Sequence, residues 1–240
     1  MKKQINYTPG KFESVKFFHQ KKTYYEGLKT ICDLNYSKED LIHHFPAFAG
    51  TQTIIRFLSL YELFKMTEGI AGHIAEMGVY KGSGSLWFAK LLQIFEPNSL
   101  SQVHGFDWFK GTEPTSEEPN LQPGSYSEPF ERVNSLVASQ GLSHVIKLHD
   151  LDLRKDLPGF FSSAPHLRFR LVFADAGLYD IVREIIINVW PRISKGGILV
   201  LDQYNFDLAP GETRAVNELL PDVEVRTLPW GWMPTAFIVK

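Results

Sequence analysis

The sequence predicts an α/β fold: a mostly parallel, seven-stranded sheet with an antiparallel last strand, preceded by N-terminal helices. Three observations carry this. From about residue 73 onward, short apolar runs alternate with amphipathic stretches. A glycine-rich turn joins the first run to the first of those stretches, and the last two runs follow one another with no helix between them. Strands alternating with helices call for right-handed crossovers and a parallel sheet, whereas two neighbouring runs call for an antiparallel closure.

Up to about Lys65 the chain reads as helical, with aromatic residues scattered through it. This sets a boundary, with residues 1–65 as a helical extension or cap and 66–240 as the main domain. Lys22 to Asp33 suits a short helix. After the break at Phe45-Pro46-Ala47-Phe48-Ala49-Gly50, Thr51 is placed to cap a longer helix with Ile54, Phe57, Leu58, Tyr61 and Phe64 on its apolar face. Strands are expected at His73 to Met77, Val103 to Phe106, Val145 to Leu148, Phe169 to Ala174 and Ile198 to Leu201. Helices are expected at Ser83 to Phe95, Glu128 to Ser139, Ile181 to Val189 and Glu212 to Leu220. Val223 to Leu228 and Ala236 to Val239 then form the closing pair. Lys110 to Ser127, with Pro114, Pro119, Pro123, Gly111 and Gly124, has the composition of a loop and exceeds the usual connection length. It follows a strand end where open α/β sheets bind ligands, so it reads as a lid or as a surface insertion.

Composition narrows the function classes. Hydrophobic residues make up 44% and charged residues 22%, with a formal net charge of -2 and no long basic run. That balance argues against a nucleic-acid or membrane surface as partner and leaves a small molecule. The single cysteine, Cys32, excludes an internal disulfide and a cysteine-rich metal site, and reads as a small core residue. The basic start has no apolar segment behind it and no run is long enough to span a bilayer, so the expected address is the cytoplasm. A homo-oligomer stays open.

The chemistry starts at Glu76-Met77-Gly78-Val79-Tyr80-Lys81-Gly82-Ser83, a strand-to-helix turn. Its glycines let the backbone approach a ligand, and the helix start offers free N–H groups, so Gly78, Val79, Tyr80, Gly82 and Ser83 are candidate cofactor contacts. An acidic side chain just before the first glycine would repel a pyrophosphate but suits an ammonium group. Glu76 and the Glu-x-Gly-x-x-x-Gly spacing therefore favour S-adenosylmethionine over NAD. Asp107, ending the second strand, is placed to accept hydrogen bonds from ribose hydroxyls. Trp108 is placed to stack on a purine, and Asp150, ending the third strand, to border it.

With these residues in view, the chain resembles the macrocin O-methyltransferase family. The resemblance rests on the Glu-x-Gly-Val-x-x-Gly turn and the Gly105-Phe106-Asp107-Trp108-Phe109-Lys110-Gly111 element. It continues through Leu178-Tyr179, Pro191 to Gly197, Asp202 and Pro210 to Val216, and touches Phe45-Pro46, Gln52 and Arg56-Phe57-Leu58 upstream. It implies a Rossmann-like class I methyltransferase fold, S-adenosylmethionine as cofactor, and transfer to a hydroxyl, usually on a sugar of a natural product. Several members hold a divalent metal on acids at the ends of the fourth and fifth strands, here Asp175 and Asp202. Where the family commonly has a third acid this chain has Gly177, and where it often has a second aspartate it has Gln203. Mg²⁺ at Asp175, Asp202 and Gln203 therefore stays open.

A sugar hydroxyl needs a metal or a base to become a nucleophile, so Asp175 and Asp202 are the candidate catalytic pair in either case. Arg56 is placed to reach the cofactor's carboxylate. Tyr179, Tyr204 and Arg214 are candidate acceptor contacts. Two alternatives stand beside this reading: a protein that binds the cofactor without catalysis, kept alive by Gly177 and Gln203, and an NAD-dependent oxidoreductase.

Overall fold

The computed structural model describes residues 11–115 and 122–240. Five helices lead: α1 (Glu13–Lys16), α2 (Phe18–Asp33), α3 (Lys38–His43), α4 (Phe45–Phe48) and α5 (Thr51–Lys65). The alternating part follows as β1 (His73–Met77), α6 (Ser83–Phe95), β2 (Val103–Asp107), α7 (Phe130–Ser139), β3 (Ile146–Asp150), α8 (Leu157–Ser163), β4 (Phe169–Ala174), α9 (Tyr179–Val189), β5 (Ile193–Leu201), α10 (Pro210–Leu219), β6 (Val225–Arg226) and β7 (Ala236–Val239). The strand order is β3-β2-β1-β4-β5-β7-β6, with β7 antiparallel to both its neighbours. This is the expected architecture. Between β1 and β4 the connections depart in opposite directions, which opens a crevice at the carboxyl ends of the strands.

Period-two alternation along the strands divides the core into two layers. On β4, Leu171 and Phe173 face α5 and α6, whereas Val172 and Ala174 face the other side, where α8, α9 and α10 pack. Burying an aliphatic or aromatic side chain of this kind contributes about 1.5–3 kcal/mol, so both helical layers are firmly held.

Several expectations shift. Helix α5 begins at Thr51 as foreseen, but Gly50 is its cap. Of the expected face, Phe64 is buried and Phe57 and Tyr61 pack half-buried against the core, joined by Leu60 and Leu63, whereas Leu58 is exposed. Helix α8 was not anticipated; Pro158 and Gly159 in its first turn masked a segment that buries Leu157 and Phe161. β5 starts five residues earlier than expected, running through Gly196 and Gly197. Cys32 is exposed rather than buried, since α2 has no buried residue at all. Of the segment Lys110 to Ser127, residues 116–121 lie outside the described residues. Its two described arms pair through Thr112 and Ser125, with the Thr112 amide donating to the Ser125 carbonyl at 2.7 Å. No described helix is long and apolar enough to cross a membrane.

Candidate active site

At the carboxyl edge of the sheet, one cavity of about 750 Å³ runs from the β1–α6 turn to the ends of β4 and β5. Glu76, Gly78, Val79, Tyr80 and Ser83 line it from the turn, and Asp175, Gly177, Asp202 and Gln203 line it from the neighbouring strand ends. Arg56 reaches in from α5, and Asp107 and Trp108 from the end of β2.

The turn is built around positive φ angles at Gly78 (101°), Tyr80 (50°) and Gly82 (81°). At Gly78 a Cβ would lie 2.4 Å from the Asp175 carbonyl oxygen, so only glycine lets β1 and β4 part this closely. Asp107 holds the turn in shape. Its Oδ2 accepts the amides of Val79 and Tyr80, each at 2.8 Å, and its Oδ1 accepts the Phe109 amide at 2.7 Å. The side chain read as a ribose ligand is thus first a clamp on the backbone.

Glu76 is also committed to structure. Its Oε2 accepts the Ser85 amide at 2.7 Å and the Ser85 hydroxyl at 2.5 Å, satisfying a free N–H at the start of α6. Burial raises this carboxyl to about 7, against the pull of those donors and of Arg56. Trp108 donates from Nε1 to the Gly111 carbonyl at 2.6 Å. One face of its ring lies under the Arg154 guanidinium, 4.6 Å from the centroid. Arg154 in turn pairs with Asp152 and Glu113, and those bonds draw Asp152 down to about 2 despite its burial.

At the acidic edge, Arg56 donates from Nη1 to Asp202 Oδ1 at 2.5 Å and from Nη2 to Asp175 Oδ2 at 2.7 Å. Burial and the neighbouring Asp202 push Asp175 well above the usual carboxylate range, with Arg56 pulling the other way. The residues do not fit a three-carboxylate metal centre. Both carboxylates already hold a guanidinium, and Gly177 brings none. Gly177 has φ 66°, and a Cβ there would lie 1.7 Å from Gln203 Oε1, so the Gln203 amide fills the space a side chain at 177 would need. Among the described residues no group of three or more histidine, cysteine or acidic side chains is placed to hold a metal.

Other candidates fall elsewhere. Asp150 is exposed at the end of β3, outside the cavity lining, whereas Asp152 two residues on lines it. Tyr179, Tyr204 and Arg214 lie off the cavity on the α9–α10 surface. There Tyr179 bonds Glu218 at 2.5 Å, Tyr204 bonds Asn217 at 3.1 Å, and Arg214 stacks 4.3 Å from the Tyr179 ring centroid.

Two residues given no role in the sequence stand out here. Lys21 of α2 lines the cavity, its ammonium 4.3 Å from the Trp232 ring centroid; burial lowers its pKa and Asp202 raises it. Glu212 is fully buried in the first turn of α10, and its Oε2 accepts the backbone N–H of Gln203 at 2.5 Å. Its burial, with Asp202 and Asp175 close by, raises it well above the usual range. An acid two residues past a Pro-Gly helix start was the only signal for Glu212, and Lys21 carried none.

Among curated proteins, the chain is 24% identical over 202 residues to mycinamicin III 3''-O-methyltransferase of Micromonospora griseorubida, covering 78% of each chain. It is 26% identical over 155 residues to 8-demethyl-8-(2,3-dimethoxy-alpha-L-rhamnosyl)-tetracenomycin-C 4'-O-methyltransferase of Streptomyces olivaceus, covering 59% of this chain and 56% of that relative. Among solved structures, it shares its fold with a calicheamicin methyltransferase at a TM-score of 0.80 and 20% identity, covering 100% of this chain and 99% of that one. A family model described as a methyltransferase domain matches residues 75–204, more than half of the sequence, and the chain belongs to that family of methyltransferases.

Proposed function

We propose that this methyltransferase uses S-adenosylmethionine to methylate a hydroxyl of a small molecule, the sugar of a glycosylated natural product. The observation that carries the reading is the single cavity joining the Glu76–Ser83 turn to the Asp175–Asp202 edge. The names of the curated relatives, O-methyltransferases of a rhamnosyl tetracenomycin and of mycinamicin III, support the acceptor class.

The turn fits the cofactor. Gly78 brings bare backbone to the cavity wall, and the carboxyl of Glu76 lines it at a place suited to an ammonium group. With Oδ2 taken up by two amides, Asp107 Oδ1 keeps one lone pair for a ribose hydroxyl, and the ring face of Trp108 not covered by Arg154 is the surface for the purine. Asp152, rather than Asp150, is the polar group at that end. When bound, S-adenosylmethionine supplies a methyl carbon on a sulfonium, open to in-line displacement by an oxygen.

The protein's part is to align the acceptor hydroxyl and take its proton. The carboxylate oxygens of Asp175 and Asp202 that do not face Arg56 are the acceptors for that proton. Phe18, Lys21, Phe206, Leu208 and Met233 line the cavity and form the acceptor wall in this reading.

Calorimetry with S-adenosylmethionine and NAD, followed by methyl transfer to matched glycosides and aglycones, tests the proposal. Binding of S-adenosylmethionine alone, with the label recovered on the sugar, is expected. Binding without transfer to any hydroxyl acceptor would leave a protein that holds the cofactor and does no chemistry; transfer to the aglycone only would remove the sugar.

A further inference from the structure

We infer that Arg56 is the resident cation of the acidic edge: its guanidinium stands between Asp175 and Asp202 where a divalent ion would have to bind, and methyl transfer by this chain needs no added metal. The inference rests on the site proposed above and concerns what neutralises it.

Four observations converge. First, the contact is two-pronged, with separate nitrogens on separate carboxylates at 2.5 and 2.7 Å, so one planar fork ties the ends of β4 and β5 together. A guanidinium matches that geometry and a compact ammonium does not. Second, the arginine is anchored. It sits one turn before Leu60 on α5, a helix buried in the core through Leu60, Leu63 and Phe64, and its guanidinium lies 5.2 Å from the Phe173 ring centroid.

Third, among the described residues no third carboxylate is placed to complete a set of ion ligands. Position 177 is glycine, the side-chain amide of Gln203 fills the space beside it, Glu212 is fully buried and bonded to the Gln203 backbone, and Glu76 is buried and held by Ser85. Mg²⁺ demands near-ideal octahedral oxygens, and two carboxylates with an amide hold it weakly. Fourth, the guanidinium already offsets one of the two negative charges. An incoming ion would have to expel it and break two charge-assisted hydrogen bonds.

The test reads metal binding directly. Mn²⁺ is titrated into chelator-treated protein, alone and with S-adenosylhomocysteine, and followed by electron paramagnetic resonance and calorimetry. The wild-type chain is expected to show no saturable binding below about millimolar Mn²⁺ in either state. In Arg56→Met the exposed carboxylate pair should gain Mn²⁺ binding by at least about tenfold, and Arg56→Met/Asp175→Asn should lose that gain.

Micromolar Mn²⁺ binding by the wild type with S-adenosylhomocysteine present, abolished by Asp175→Asn, would overturn the inference. That result would mean that Arg56 leaves the pair when the cofactor site fills. The wild-type titration stands even if Arg56→Met does not fold. S-adenosylhomocysteine affinity, measured separately, reports on the proposed site itself, so failure there is distinguishable from failure here.

Discussion

At the scale of the residue, the side chains proposed to face the ligand also hold the protein together. Asp107 accepts three backbone amides, so Asp107→Ala removes both the proposed ligand contact and the clamp on the turn. Calorimetry should show S-adenosylmethionine binding weakened by roughly 1.5–3 kcal/mol, the range for hydrogen bonds to a charged group. Unchanged affinity in a folded variant would take Asp107 out of the site. Lys21 lines the same cavity over the Trp232 ring, with Asp202 as its charged neighbour. Lys21→Met keeps the stem and removes the charge; it should raise the acceptor KM severalfold and leave cofactor affinity unchanged. Equal loss of both would place Lys21 in the scaffold. The positions of Glu76, Asp107, Asp175 and Asp202 at the cavity were legible because each lies at or next to the end of a strand with a clear apolar run. The Arg56 pairings were not, since its partners lie 119 and 146 residues away. Gly177→Asp would look from sequence like the restoration of a lost ligand. In the fold it would instead place a side chain at φ 66° against Gln203, and the variant should be destabilised, read as a lowered Tm.

At the scale of the element, β2 and β3 carry a histidine pair that has no part in the site. His104 Nδ1 lies 3.0 Å from His149 Nε2, and the rings stack 5.3 Å apart beside Phe106. Burial pushes His104 down to about 3 and His149 down to about 4, with each other's charge adding to the effect on His104. Both are neutral in the folded state at pH 5, whereas free histidine takes up a proton below about 6.5. The unfolded chain then binds more protons, and stability falls as the pH drops from 7 towards 4. At pH 5 the loss should be on the order of 2 kcal/mol for each histidine, and replacing both rings, as in His104→Phe/His149→Phe, should flatten the slope of Tm against pH. An unchanged slope would assign the acid sensitivity to other groups. Helix α5 shows the limit of periodic reading: its extent and most of its packed face were foreseen, but Leu58, placed on that face by its period, is exposed.

At the scale of the whole molecule, the glycine turn and the acidic edge belong to the sheet, whereas Lys21 and Phe18 of the proposed acceptor wall belong to α2, a helix with no buried residue. A chain beginning at Ser37 should therefore keep its fold and its S-adenosylmethionine affinity while losing most turnover of a sugar acceptor. Loss of cooperative unfolding in that truncation would show α2 to be part of the core. The sequence alone determined the order and type of the strands, the closing antiparallel pair, the glycine turn and the strand-end acids. These follow from local periods and from the rule that parallel strands end at a common edge. Only the tertiary structure decided which charges meet. It put the guanidinium of Arg56 between Asp175 and Asp202, set the Gln203 amide against Gly177, buried Glu212 and turned Tyr179, Tyr204 and Arg214 away from the cavity. Such pairings depend on the packing of helices distant in sequence, and the side chains involved carry no periodic signal of their own.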